Sequence, residues 1–256
     1  MDERTIPLPG AVNLRDFGGY TTEDGRRVRR RRLFRSGTLT HLSEEARARF
    51  SELNVDLICD LRRPDEKSRE PTPFPYHAPR RLEIPIDPGS ATAMRERLAM
   101  DGLSLKERID FMVGINRDLA RDHAEDYARM FEALLELDDG AFLVHCSAGK
   151  DRTGFACALI LHSLGVDEET VLEDYLLTNE AMDYEGYVLP RMAAHFERSE
   201  TPDREAVMAL AGVRPEYLRA AFDAIEAEFE GVEHYIERAV GLDAAARELL
   251  RSRFVE

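Results

Sequence analysis

Between positions 55 and 61 the chain reads VDLICDL. Val55, Leu57, Cys59 and Leu61 alternate with Asp56, Ile58 and Asp60, a period of two that predicts a strand. Asp60 then lies at its carboxyl end, and the polar RRPDE closes it. AFLVH at 141–145 is short and apolar throughout, as a buried strand would be, and LEIPID at 82–87 reads as a further short strand. The helical stretches carry their own punctuation. SEEARARFSELN offers Ser43 as an N-cap with acids in the first turn, which predicts a helix of about three turns. Residues 104–136 read as helical with an interruption near Gly114. TGFACALILHSLG is apolar nearly all round and ends at Gly165, the pattern of a buried helix closed by a glycine. Another helix begins near Asp167, and from YVLPRM onward the chain is helical with breaks around Pro202 and Gly212. The first forty residues read as short strands and turns, with a turn at Asp24-Gly25, and the arginine run RRVRRRRLFRSG reads as a solvated strand.

Strands alternating with helices imply an α/β fold around a mostly parallel central sheet, with a helical C-terminal region. No repeat, linker or shift of composition divides the 256 residues, so a single domain is expected over 1–256. The charge narrows the partners. A formal net charge of −15 repels nucleic acid and anionic membrane surfaces on average, so an anionic ligand must be attracted locally. MDERTIPLPG lacks the basic start and apolar stretch of a signal peptide, and the longest apolar run, FACALIL, is too short to span a bilayer. A cytoplasmic protein without stable membrane insertion is expected. The three cysteines, 59, 146 and 157, have no paired spacing, which points to neither a disulfide framework nor a zinc site.

The chemistry concentrates between strand 141–145 and the helix that follows, in VHCSAGKDRTG. The strand delivers His145 and Cys146, a short loop of Ser147, Ala148, Gly149, Lys150 and Asp151 turns back, and Thr153-Gly154 opens the helix. Such a turn can converge successive backbone N–H groups and a helix N-terminus on one point, a site sized for a phosphoryl group. The same donors stabilise a thiolate, so Cys146 is the expected nucleophile. Arg152 could fork two hydrogen bonds onto phosphate oxygens, which lysine would do poorly. Thr153 could donate its hydroxyl to the sulfur, and His145 could orient the loop.

These residues resemble the phosphate-binding loop of the cysteine-dependent protein tyrosine phosphatases, and in particular the atypical bacterial members of broad specificity. GAVNLRDFGGY, LFRSGTL, DLICDLRRPDE, DYLLTN and GVRPEYLRAAFDAIEAEFEG are similar to the flanking motifs of that family, in the same order. The resemblance implies a phosphatase fold and a two-step reaction through a phosphocysteine on Cys146, without metal or other cofactor. Its substrates would be phosphotyrosine, with phosphoserine, phosphothreonine and phosphoinositides as further candidates. A general acid is needed for the leaving oxygen, and the chain has no tryptophan and hence no Trp-Pro-Asp motif. Asp151 is the first candidate, because atypical members carry aspartate there. Asp60, beyond the end of its strand, is the second, and Asp87 is a third. Lys150 resembles the lysine of phosphatases that accept polyphosphorylated inositol, where it meets a second phosphate. It could equally balance Asp151 and Asp60.

Two other classes stay open at this point. A rhodanese-like sulfurtransferase also places cysteine at a strand-to-helix loop, and a catalytically inactive phosphoprotein-binding module would keep the loop without turnover. The step from Cys146 to Arg152 and the adjoining Thr153 favour the phosphatase over the first, and the retention of Cys146, Arg152 and Asp151 together argues against the second. Residues 181–215 are expected to cover the site as a helical lid.

Overall fold

The alternating segments do become strands. In the computed structural model, which describes residues 3–72, 79–89, 103–192 and 203–256, five strands pair in the order β1-β2-β5-β3-β4. They are β1 (Arg15–Asp16), β2 (Leu33–Ser36), β3 (Val55–Asp60), β4 (Arg80–Glu83) and β5 (Ala141–His145). β1 is antiparallel to β2 and the other pairs are parallel. The period of two sorts side chains between the faces. Leu57, Cys59, Leu61, Phe142 and Val144 point into a large apolar layer, whereas Ile58, Ala141 and Leu143 join Phe34 in a smaller one.

The smaller layer is completed by Ala46 and Phe50 of α1 (Glu44–Ser51). α2 (Pro64–Arg69) follows β3. The larger layer is helical: α3 (Leu105–Asp122), α4 (Ala124–Leu135), α5 (Asp151–Leu164) and α6 (Glu168–Leu176). Next come α7 (Thr178–Ala181), a π-helical turn at Tyr184–Val188, α8 (Leu189–Met192) and α9 (Arg204–Ala211). α10 (Pro215–Phe229), α11 (Val232–Arg238) and α12 (Ala244–Phe254) complete the chain. Every residue of α5 from Thr153 to Leu164 is buried, as its all-round apolar sequence predicted. Backbone bonds of 2.8 Å in both directions between Arg27 and Glu256 tie the C-terminal residues to the N-terminal segment.

The helix signals held where a side chain caps the end. Ser43 accepts from the Ala46 N–H at 3.1 Å, Asp167 accepts from the Thr170 N–H at 3.0 Å, and Gly165 closes α5 with φ of 86°. Four expectations are corrected. The strand placed at 82–87 is Arg80–Glu83; beyond it Ile84 and Ile86 still donate to Asp60 and Leu61 of the β3 strand end, but Pro85 between them has no N–H to continue a ladder. The interruption falls at His123 and not at Gly114, which lies buried inside α3. The helix after the loop begins at Asp151, two residues before Thr153. The arginine run is not a solvated strand: only Leu33–Ser36 is extended, Arg31 sits at φ of 61°, and Arg35 is fully buried. The expected break at Pro202 lies outside the described residues, while Gly212 does separate α9 from α10. Among the described residues no helix is long and apolar enough to cross a membrane.

The ring of Phe155 on α5 meets Tyr127 edge-on at 5.1 Å between centroids and Tyr235 at 6.5 Å. Phe155→Ala would leave a cavity at this junction of α4, α5 and α11. Its expected cost is about 3–5 kcal/mol of unfolding free energy, read as a lower urea midpoint at unchanged slope.

Candidate active site

β5 and α5 meet at residues 146–150. Cys146 continues the alternation of β5 onto the large-layer side, 2% exposed, and receives the Gly149 N–H on its sulfur at 3.3 Å. Gly149 adopts φ of 68°, and a Cβ there would lie 2.5 Å from the backbone of Ser36 and Gly37. Only glycine permits both the turn and the approach to β2.

The carbonyl groups of Ser147, Ala148, Gly149 and Lys150 each accept a hydrogen bond, the first three from donors outside the loop. The Ser147 carbonyl accepts from the Thr38 N–H at 2.8 Å and the Tyr187 hydroxyl at 3.2 Å. The Gly149 carbonyl accepts from Asn13 Nδ2 at 2.8 Å and Arg35 Nη2 at 3.0 Å, and the Lys150 carbonyl from the Gly154 N–H at 2.6 Å. Asn13 also reaches the Ala148 carbonyl at 3.5 Å. In a planar trans peptide the N–H points opposite to the C=O. Holding these carbonyls outward therefore turns the N–H groups of Ala148, Gly149 and Lys150 inward, toward the sulfur.

Charged side chains around the loop are paired. Arg152 is gripped end-on by Glu66, Nη1 to Oε2 at 2.7 Å and Nη2 to Oε1 at 2.8 Å, and Nη1 also donates to the Leu61 and Ile86 carbonyls at 3.2 and 3.3 Å. Ser147 Oγ donates to the same carboxylate at 2.7 Å. Burial would raise Glu66, but the Arg152 guanidinium outweighs it and holds the carboxyl at about 2. Lys150 is buried, with Nζ donating to the carbonyls of Leu210 (2.5 Å) and Gly212 (3.1 Å) and lying 3.4 Å from Asp151. Asp151, at the first turn of α5, also accepts from Asn116 Nδ2 at 3.4 Å.

Asp60 does not balance Lys150. Its carboxylate is clasped by Arg62, at 2.9 Å to Nε and 2.7 Å to Nη2, accepts the Arg62 N–H at 3.0 Å, and lies 3.5 Å from His145 Nε2. Burial would raise this carboxyl, but the His145 ring and the Arg62 fork together hold it below its ordinary value. A carboxylate so held is a poor proton donor. His145 lies beneath the loop, and burial lowers its imidazole to about 4. Its carbonyl accepts from the Leu61 N–H at 2.9 Å, which fixes the strand end before Cys146. Thr153 is buried, and its hydroxyl has no hydrogen-bond partner among the described residues, the sulfur included. Asp87 is exposed and 3.4 Å from Arg63.

The expected covering segment does meet the loop in its described part. Tyr187 and Val188 pack with Ala148 and Val207, and Arg191 stacks on Tyr187 and pairs with Glu70 of the α2 end. A cavity of about 380 Å³ opens there, lined by Glu66, Arg69, Glu70, Ser147 and Arg191. A larger depression of about 650 Å³, between residues 19–23 and α6, is lined by no cysteine or histidine. Sequence reading missed Glu66, Arg35, Asp174 and Asn13. All four stand inside quoted segments, but only the folded chain brings them to the loop.

A family profile described as the tyrosine phosphatase family matches residues 6–256. A protein of Cupriavidus necator named as a tyrosine-protein phosphatase is 35% identical over 242 residues, 91% of this chain and 83% of that one. The triple specificity protein phosphatase PtpB of Mycobacterium tuberculosis is 29% identical, over 95% of this chain and 96% of its own. The crystal structure of P. aeruginosa TpbA aligns with 82% of this chain and 90% of that one at 16% identity and a TM-score of 0.33, a likeness too low to carry an argument.

His145 and His162 are both lowered to about 4 by burial. In the unfolded chain each takes up its proton near pH 6.5, so below that pH the unfolded state binds more protons and stability falls. Urea midpoints should be level above pH 7 and decline from pH 6.5 to 4.5. His162→Gln, remote from the loop, should remove about half of that decline.

Proposed function

Because this chain belongs to the tyrosine phosphatase family, we propose that it hydrolyses phosphotyrosine at the loop 146–152 through a phosphocysteine. The observation that carries this reading is the Gly149 N–H donating to the buried Cys146 sulfur from a loop whose Ser147, Ala148 and Gly149 carbonyls are held by donors outside it. Cys146 Sγ attacks phosphorus, an S–P bond forms, and the P–O bond to the phenol breaks. Asp151 delivers its proton to the leaving oxygen. Water then attacks phosphorus, gives a proton back to Asp151, and the S–P bond breaks to release inorganic phosphate and the thiolate.

Ser147, Ala148, Gly149, Lys150 and Asp151 would bind the phosphate through the backbone, with Arg152 from the side. Glu66 occupies the Nη1–Nη2 edge of that guanidinium, and no hydrogen bond among the described residues uses Nε. The Nε–Nη2 edge is the one a phosphate can take, and Glu66 sets its angle. Thr153, whose hydroxyl has spent no hydrogen bond, is free to turn toward the sulfur as it departs. Asp151 is preferred as the acid because Asp60 is committed to Arg62. Asp87 is the second reading, since the carbonyl of the preceding Ile86 touches Arg152.

Phosphoserine, phosphothreonine and phosphoinositides are proposed as further substrates, in line with the name of the mycobacterial relative. Lys150 would have to leave the Leu210 and Gly212 carbonyls to meet a second phosphate, so inositides should be slower than phosphotyrosine. A cytoplasmic location belongs to the same proposal.

Cys146→Ser should bring phosphate release to background while keeping substrate binding; turnover retained in that variant would overturn the nucleophile. Asp151→Asn should slow alkyl phosphates and phosphotyrosine by about 10²–10⁴ and an activated aryl phosphate far less. Equal loss on both would move the acid to Asp87. Lys150→Ala, assayed without added metal on a phosphotyrosine peptide and a phosphoinositide panel, should impair inositides selectively if Lys150 reads a second phosphate. A uniform effect would assign it to holding α9 against the loop.

A further inference from the structure

Two of the cations that face the loop have a carboxylate each, Arg152 with Glu66 and Arg62 with Asp60, and Lys150 is spent on the Leu210 and Gly212 carbonyls beside Asp151. In a chain of net charge −15 those carboxylates offset much of the positive charge, Arg152 included, that would face a dianionic phosphate. Behind the loop the balance differs. Arg15 and Arg35 are both fully buried, and the carboxylate between them is Asp174, itself 1% exposed. Arg35 bonds Asp174 and donates to the Gly149 carbonyl at 3.0 Å. Arg15 donates to Asn13 Oδ1 and to the Asp174 backbone carbonyl at 3.0 Å, and its guanidinium is 3.9 Å from the Asp174 carboxylate. The Nε of each arginine has no hydrogen-bond partner among the described residues.

We propose that Arg15 and Arg35, two buried guanidiniums sharing one carboxylate, place an unbalanced positive charge behind Gly149 that stabilises negative charge on Cys146 and on the bound phosphate. They are positioning residues that act through the Gly149 carbonyl, Asn13 and the field. This rests on the reading of the loop as the phosphate site.

The neighbours do not cancel this charge. Tyr20 donates its hydroxyl to Asp174 at 3.1 Å and burial drives it above its ordinary value; Cys157 is pushed up by burial to about 12. Both are neutral near pH 7. Burial and the adjacent Arg35 lower Arg15 only to about 10, so it stays charged. In a site of low effective dielectric a unit charge acts over several ångströms with little screening.

The test compares alkylation of Cys146 by anionic iodoacetate and by neutral iodoacetamide at pH 7. Cys59 and Cys157 are fully buried thiols raised by burial, so alkylation reads Cys146. A change of shape scales both rates together, whereas a change of field moves their ratio. Arg15→Gln should lower the iodoacetate to iodoacetamide ratio by about tenfold, and Asp174→Asn should raise it. Arg35→Gln removes the same charge and serves if Arg15→Gln does not fold. Inhibition by inorganic phosphate should weaken in the arginine variants. Ratios within twofold of wild type, or movement of all variants in one direction, would overturn the proposal. Wild-type protein that alkylates with the expected ratio yet releases no phosphate would instead overturn the phosphatase reading.

Discussion

The Gly149 peptide is the constraint on which the rest of the site depends. A planar amide cannot offer its N–H to one side and its C=O to the same side, so a loop that presents donors to an anion must find donor partners for its carbonyls elsewhere. Here they come from the N-terminal segment through Asn13, from β2 through Arg35, from the residues after β2 through Thr38, and from the covering segment through Tyr187. The backbone at 146–150 is thus held by parts of the chain distant in sequence. A buried C=O left without such a partner would cost of the order of 1–3 kcal/mol, enough to turn the peptide over.

Charge is handled by the same economy of partners. Arg152 and Arg62 each have a carboxylate at short range, which limits the cost of their burial, whereas Arg15 and Arg35 share one. The cavity beside the loop is also lined by a pair, Arg191 with Glu70, with the arginine stacked on Tyr187. On the reading proposed above, attraction for an anion would come from oriented amide dipoles and from charge placed behind them. The overall charge of the chain works against neither, because both act over a few ångströms.

Much of this was legible before the fold was seen. Strand β3, strand β5 and helix α5 follow from short-range patterns, period two in the first, a compact apolar run in the second, all-round burial in the third. The order Cys146, Gly149, Arg152 marked the turn between strand and helix that the structure forms there. What could not be read depends on pairing across the chain. Nothing local distinguishes Arg35 from its neighbours in the arginine run, since its burial is decided by Asp174, which is 139 residues away. Glu66 looked like one acid in a polar helix start, and only the return of Arg152 to α2 gives it a role. Asp60 was drawn to the site by its place at a strand end, and Arg62, two residues on, took it out of contention. Pro85 broke a strand that apolar content alone would have continued.

The way the loop is tethered also bears on how the molecule folds. Residues 13, 35 and 38 reach it from one direction of the chain, 187 and 210 from the other, and Arg27 exchanges backbone hydrogen bonds with Glu256 across nearly the whole sequence. Contacts of such separation form late and slowly, because loop-closure entropy precedes their reward. Helix α5 can form early on local contacts, but β5 before it pairs only with β2 and β3, distant in sequence, and the loop between them is held only once distant ends of the polypeptide have met. Assembly order therefore governs the surroundings of Cys146: a partly folded chain carries the cysteine without the distant donors that hold the loop around it.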